Sequence, residues 1–326
     1  MGLTWCWPPT MTQRVTQPRV PYRDRQQRIG ERLRSVAEVE PSGELLARVT
    51  RLTGARPVGW VSRPGGFTPT ERWSLDLADG RWVFAKRATR DWLAEALRIE
   101  YRNLGLIDAD FRCAILGWED GEYPLLLLED LREARWPPPW QAGDVDRVLA
   151  TLERVWAMPA DDLPPAEEVR TIMSGWHQVA EDPTAFLRLG IASPQWVDRC
   201  VEDLCAAADA ASYSGSAFLH MDVRSDNMCF LGERIVLVDW NWAVRGPTDL
   251  DLACWLPSLR LEGGPLPDSV APGLGAYAAA IASYFAVNAA LPPVPDSPSL
   301  RRAQRDQLNI ALSWACRELG LPQPQR

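Results

Sequence analysis

The apolar residues of this chain change period close to residue 128, and that change limits what the chain can fold into. Between Val58 and Leu128 they recur at the two-residue spacing of strands, over 58–61, 71–77, 82–85, 113–118 and 124–128. Asp79-Gly80 and Glu119-Asp-Gly-Glu122 supply turns between them. Two helical stretches accompany the strands. One is opened by Pro41-Ser-Gly-Glu44, carries Leu45, Leu46, Val49 and Leu52 on one face, and is stopped by Gly54 and Pro57; the other runs over 90–104. Beyond residue 140 the spacing is helical, over 145–156, 194–211, 250–259, 274–290 and 300–319, and the acidic stretch 161–168 reads as a loop. The expected fold is α+β. A small N-terminal lobe over 41–128 holds a five-stranded antiparallel sheet and one main helix, and a larger, mostly helical C-terminal lobe spans 129–326. Residues 1–40, with Arg14, Arg19, Arg23, Arg25, Arg28, Arg32 and Arg34, read as a basic, poorly ordered arm.

The residues with chemical promise are concentrated in one short segment, His220-Met-Asp222-Val-Arg224-Ser-Asp226-Asn227, followed by the apolar run Ile235 to Val238 and then Asp239. An Asp that can take a proton from a hydroxyl, an Asn five residues on and an Asp at a strand end suit phosphoryl transfer. In that reading Asp222 is the base or orienting carboxylate, and Asn227 and Asp239 offer hard oxygens to Mg²⁺. Arg224 has two readings, contact with the transferring phosphoryl group or contact on the acceptor side. Asp226 shapes the loop, and His220 is a hydrogen-bonding strut.

Composition adds a second pointer. Of 35 basic residues, Lys86 alone is lysine, and it ends the strand pattern Trp82 to Ala85. A compact ammonium there suits the phosphates of ATP, with Glu100, in preference to Glu95, as the carboxylate that orients it. Gly65 and Gly66 sit in a loop whose backbone N–H groups can cover phosphates. Glu129 to Leu131 leads into a proline-rich connection whose backbone can bond an adenine edge. Trp240 and Trp242, flanking Asn241, are candidate acceptor contacts, and most of the sixteen tryptophans are core.

The same composition closes other routes. Two histidines leave little room for a His-based metal cluster or a Ser/His/Asp triad, and seven irregularly spaced cysteines argue against a disulfide framework or a zinc site. A net charge of −8 disfavours nucleic acid. No apolar run reaches membrane-spanning length, the N-terminus lacks a signal-peptide pattern, and Cys6 stands where myristoylation after Gly2 would need Ser or Thr. The expectation is a cytoplasmic protein, monomer or homodimer, acting on a small molecule and not at a membrane.

Over residues 58–260 the chain resembles the aminoglycoside phosphotransferase and choline kinase family, distant relatives of the protein kinases. The resemblance is carried by Lys86, Leu127-Leu-Glu-Asp130, His220-Met-Asp-Val-Arg-Ser-Asp-Asn227, Leu237-Val-Asp-Trp240 and Gly246-Pro-Thr-Asp-Leu-Asp-Leu-Ala253. It implies a bilobal, protein-kinase-like fold in which Asp222 is catalytic, Asn227 and Asp239 hold Mg²⁺, Lys86 binds phosphates and Asp251 buttresses the catalytic loop. Trp240-Asn241 replaces the Phe-Gly of protein kinases, and only about ten residues separate Asp239 from Asp249, too few for a peptide-binding activation segment. The activity implied is ATP- and Mg-dependent O-phosphorylation of an aminoglycoside or other antibiotic, an amino alcohol or a sugar. The alternative is a catalytically idle nucleotide-binding scaffold. A polycationic acceptor would want acids at the rim such as Asp161, Asp162, Glu167, Glu168 or Glu262.

Overall fold

A computed structural model describes residues 40–63, 68–295 and 297–325; the arm over 1–40 and the Gly65-Gly66 loop lie outside the described residues, apart from Glu40. The chain divides into two compact units. The first comprises 40–63, Thr70–Ala94 and Ile115–Asp130, and the second contains Glu95–Ala114 and the chain from Leu131 onward.

In the first unit, helix α1 (Gly43–Thr53) starts at Ser42, whose hydroxyl accepts from the Leu45 N–H, and ends at Gly54 in the left-handed conformation. Strands β1 (Pro57–Ser62), β2 (Glu71–Leu77), β3 (Trp82–Arg87), β4 (Ile115–Glu119) and β5 (Leu125–Glu129) form one antiparallel sheet in the order β1-β2-β3-β5-β4. The three-strand meander is as expected, and β5 inserts beside β3 instead of following β4 outward. Leu45 and Val49 of α1 pack on Trp73, Leu75, Leu77, Val83, Ala85, Leu125 and Leu127, every second residue of three strands. Each Leu or Val among them stabilises the fold by about 1.5–3 kcal/mol when fully buried. The alternation turns Lys86 to the opposite face of the central strand, where it lies across from Arg72 and Leu126.

Helix α2 (Asp91–Gly105) runs from the first unit into the second. The second unit then continues through α3 (Asp144–Trp156), a 3₁₀ segment (Ala166–Met173), α4 (Gly175–Glu181), α5 (Thr184–Leu187) and α6 (Pro194–Ala210). After these come strands β6 (Ala217–Leu219), β7 (Met228–Leu231), β8 (Arg234–Leu237) and β9 (Val244–Gly246), then α7 (Asp249–Leu261), α8 (Pro267–Val270), α9 (Gly275–Asn288) and α10 (Leu300–Leu319). The apolar, alanine-rich α9 is buried on most sides and packs against α4, α6 and α10. Its small side chains allow close approach. A Cβ on Gly175 would lie 2.4 Å from the Ser283 carbonyl oxygen, so α4 meets α9 backbone to backbone.

One expectation needs correction, and two short strands lie outside those expected. The acidic stretch 161–168 is not wholly loop, because Pro165 bridges Arg245 and the 3₁₀ segment begins at Ala166. The three-residue strands β6 and β9 went unread; they pair Ala217 with Gly246 and Leu219 with Val244. Among the described residues no helix is long and apolar enough to cross a membrane, and the described cysteines, five of them buried, are free thiols.

Candidate active site

The segment from His220 to Asn227 hangs between β6 and the β7–β8 hairpin, and the hairpin sets which residues meet. Met228 pairs with Leu237, and the Val238 N–H then donates to the Asn227 carbonyl at 2.9 Å. Asn227 and Asp239 therefore leave the same end of one short ladder. Beyond the ladder, the chain turns sharply. Met221 (φ 63°) and Asp239 (φ 62°) are the non-glycine residues with left-handed backbone among the described residues, and both belong to this segment.

His220 and Asp251 hold the turn from beneath. Both are fully buried. The His220 Nε2–H donates to the Val238 carbonyl at 2.9 Å and its Nδ1 accepts from the Asp222 N–H at 3.2 Å, which defines a neutral tautomer. Burial lowers the His220 pKa, and the Asp251 charge only partly opposes this. Asp251, in the first turn of α7, accepts the Met221 N–H at 2.7 Å, the His220 N–H at 3.1 Å and the Trp156 indole N–H at 2.9 Å. Its carboxyl is pushed up by burial, against which these donors act.

Above them Asp222 shows 28 % of its side chain to solvent. Burial raises its pKa and the Asp239 charge adds to the rise, while Arg224 and the Asn227 amide lower it. Asn227 Nδ2 donates to Asp222 Oδ2 at 2.7 Å and to the Asp222 carbonyl at 2.9 Å. With its nitrogen so committed, the amide offers its oxygen to a cation. Arg224 Nε lies 3.2 Å from Asp222 Oδ1 and 3.2 Å from Asp226 Oδ1. Burial works against its charge, but Asp222, Asp226 and Asp239 raise its pKa. Three carboxylates act on one guanidinium here, and Asn227 and Asp239 are the residues that could hold a hard divalent cation. No group of three or more His, Cys, Asp or Glu with metal-site geometry occurs among the described residues; a two-residue Asn/Asp set is a different kind of site.

Lys86 is 6 % exposed on the central strand. Glu100 is buried in α2, whereas Glu95 is solvated and 3.8 Å from Arg98. Glu129 ends β5 opposite Val83, and the carbonyl of the buried Leu131 accepts the Ala134 N–H. Trp240 is corrected. It is fully buried, with its indole N–H on the Leu237 carbonyl at 3.0 Å and its ring packed on His220, Phe218 and Phe111, so it supports the loop and cannot touch an acceptor. Trp242 is half-buried, its indole 3.2 Å from the Asn241 amide oxygen when that amide is turned to satisfy both neighbours. Sequence reasoning missed the supporting donors Trp140 and Trp156 and the hydroxyl of Ser225. An indole donating one hydrogen bond carries no pattern by which spacing could find it.

Residues 59–287 match the sequence model of the phosphotransferase enzyme family. No curated protein matches the chain. Among solved structures, a candidate fructosamine-3-kinase from Thermobifida fusca is similar at 22 % identity, with 83 % of this chain and 99 % of that chain covered and a TM-score of 0.52. A candidate aminoglycoside phosphotransferase from Ralstonia eutropha is similar at 12 % identity, with 85 % and 98 % covered and a TM-score of 0.53. The streptomycin–ATP–APH(2″)-IIa ternary complex is similar at 11 % identity, with 83 % and 96 % covered and a TM-score of 0.50. The mixed α+β fold with its five-stranded antiparallel sheet is the one these proteins share.

Proposed function

Because the chain belongs to the phosphotransferase enzyme family, we propose that it transfers the γ-phosphoryl group of ATP, with Mg²⁺, to a hydroxyl of a small molecule. The acceptor class is an aminoglycoside or other antibiotic, an amino alcohol or a sugar. The observation that carries this reading is the Asp222–Asn227–Asp239 arrangement, in which one hairpin end presents two oxygen donors next to a partly solvated carboxylate.

Asp222 takes or orients the proton of the attacking hydroxyl. Its raised pKa brings it nearer the range in which a base works, and Asn227 holds its Oδ2 while Oδ1 lies beside Arg224. Asn227 and Asp239 would hold Mg²⁺, which when bound neutralises charge on the phosphates. Arg224, 3.2 Å from Asp222, offsets the charge of the cluster, and both of its readings, contact with the transferring phosphoryl group or with the acceptor, stay open to the test. Lys86, buried and alone of its kind, is assigned to the nucleotide phosphates. Glu129 and Leu131 remain assigned to the adenine edge.

The test is ADP release with MgATP over acceptors graded by charge: aminoglycosides, choline-like amines, macrolides, nucleosides and simple sugars. Release that depends on one acceptor class and is lost in Asp222→Ala supports the reading and names the class. Turnover retained by Asp222→Ala sinks the assignment of that residue.

A further inference from the structure

The helix that carries Asp251 grips the loop at a second place. Glu262 follows directly after the last residue of α7, and its Oε1 accepts the Ser225 hydroxyl while its Oε2 accepts the Trp140 indole N–H at 2.9 Å. Ser225 is 6 % exposed and opens the short 3₁₀ turn that closes with the Asn227 N–H on the Arg224 carbonyl at 2.9 Å. A hold on Ser225 is therefore a hold on the turn that delivers Asn227.

The two ends of α7 mirror each other. At its start Asp251 takes the backbone of His220 and Met221 plus the indole of Trp156, the last residue of α3. At its end Glu262 takes Ser225 plus the indole of Trp140, just ahead of α3. Asp222 and Arg224 lie between the two grips. We infer that Glu262 is a positioning residue for the loop bearing Asp222 and Asn227, acting through Ser225, and not an acid at the rim for a cationic acceptor; this rests on the phosphotransferase reading. Both its oxygens are engaged inside the protein, whereas Asp161, Asp162, Glu167 and Glu168 are exposed.

The experiment measures ATP binding to the full chain with and without Mg²⁺, which needs no acceptor. Glu262→Leu and Ser225→Ala are compared with Glu262→Gln and with Asp239→Asn. Glu262→Leu and Ser225→Ala are expected to weaken the Mg²⁺-dependent part of binding about tenfold, the scale of supporting partners around a metal, with metal-free ATP affinity unchanged. Glu262→Gln should restore it, since its amide oxygen can accept from Trp140 while its nitrogen donates to Ser225. Ser225→Ala removes a single oxygen and keeps the test open if Glu262→Leu does not fold. Unaltered Mg²⁺ dependence in Ser225→Ala and in any folded Glu262→Leu overturns the inference, as does an equal loss of metal-free and metal-dependent binding. If the unaltered protein binds ATP without regard to Mg²⁺ and Asp239→Asn changes nothing, the phosphotransferase reading itself falls and takes this inference with it.

Discussion

The five-stranded sheet and the segment from His220 to Asp239 achieve order by different means. In the sheet, alternating side chains such as Leu75, Val83 and Leu127 bury apolar surface under α1 along regular ladders. In the site segment the strands on either side are three or four residues long, and shape comes from side chains that bond backbone: His220 to Val238, Asp251 to Met221, Asn227 to Asp222. Apolar contact is tolerant of small changes, whereas a buried polar network loses most when one member is removed. Substitutions in the first region should move stability and leave the chemistry of the folded protein alone; in the second they should move chemistry, with or without stability.

The sharpest contrast is Asp222→Ala, expected to lower turnover by about 10³-fold or more with MgATP affinity and unfolding midpoint nearly unchanged. Asp251→Ala would break the segment from beneath: three donors lose their buried acceptor, at a cost of about 3–5 kcal/mol, and activity of the remaining folded protein falls with it. Leu75→Ala tests the other side of the comparison. It should cost about 2–5 kcal/mol in denaturant unfolding while kcat per folded molecule stays within twofold, and a large drop in kcat would mean that the two regions are coupled. The smallest effect is expected from Ser42→Ala, about 1 kcal/mol for one lost helix cap.

A pH series separates His220 from the rest. Burial holds its folded pKa below the ordinary value of about 6.5, so the unfolded chain takes up the proton first. Its contribution is therefore complete above that value and is lost as pH falls below it toward the folded pKa. The gap in Tm between the protein and His220→Gln should narrow from pH 7.5 to 5.5; a widening gap would mean that the buried ring is charged.

What could be read from the sequence follows the same division. Period-2 runs, a capping Ser42 and a stopping Gly54 act locally, so the sheet and α1 were visible to within two residues of their ends. That Asn227 and Asp239 come together at one hairpin end was legible, because their spacing along the chain translates directly into it. Trp240 was misread because a tryptophan beside a site looks the same whether it faces outward or lies under the loop, and only packing against His220 and Phe218 decides. Glu262 was offered as a rim acid for a cationic acceptor for a related reason. Its partners Ser225 and Trp140 are 37 and 122 residues away in sequence, so nothing local signals that its charge is already engaged.

The left-handed backbone at Met221 and Asp239 has a bearing on motion. A non-glycine residue in such a conformation costs about 1–3 kcal/mol and persists only while its surroundings enforce it. Two of them lie in the working segment, one at the proposed metal ligand Asp239, so local opening of this segment would release that strain. Native-state hydrogen exchange should find the amides of Asp222 and Val238 opening before those of β2 and β3, and any ligand that spans Asn227 and Asp239 should slow them most.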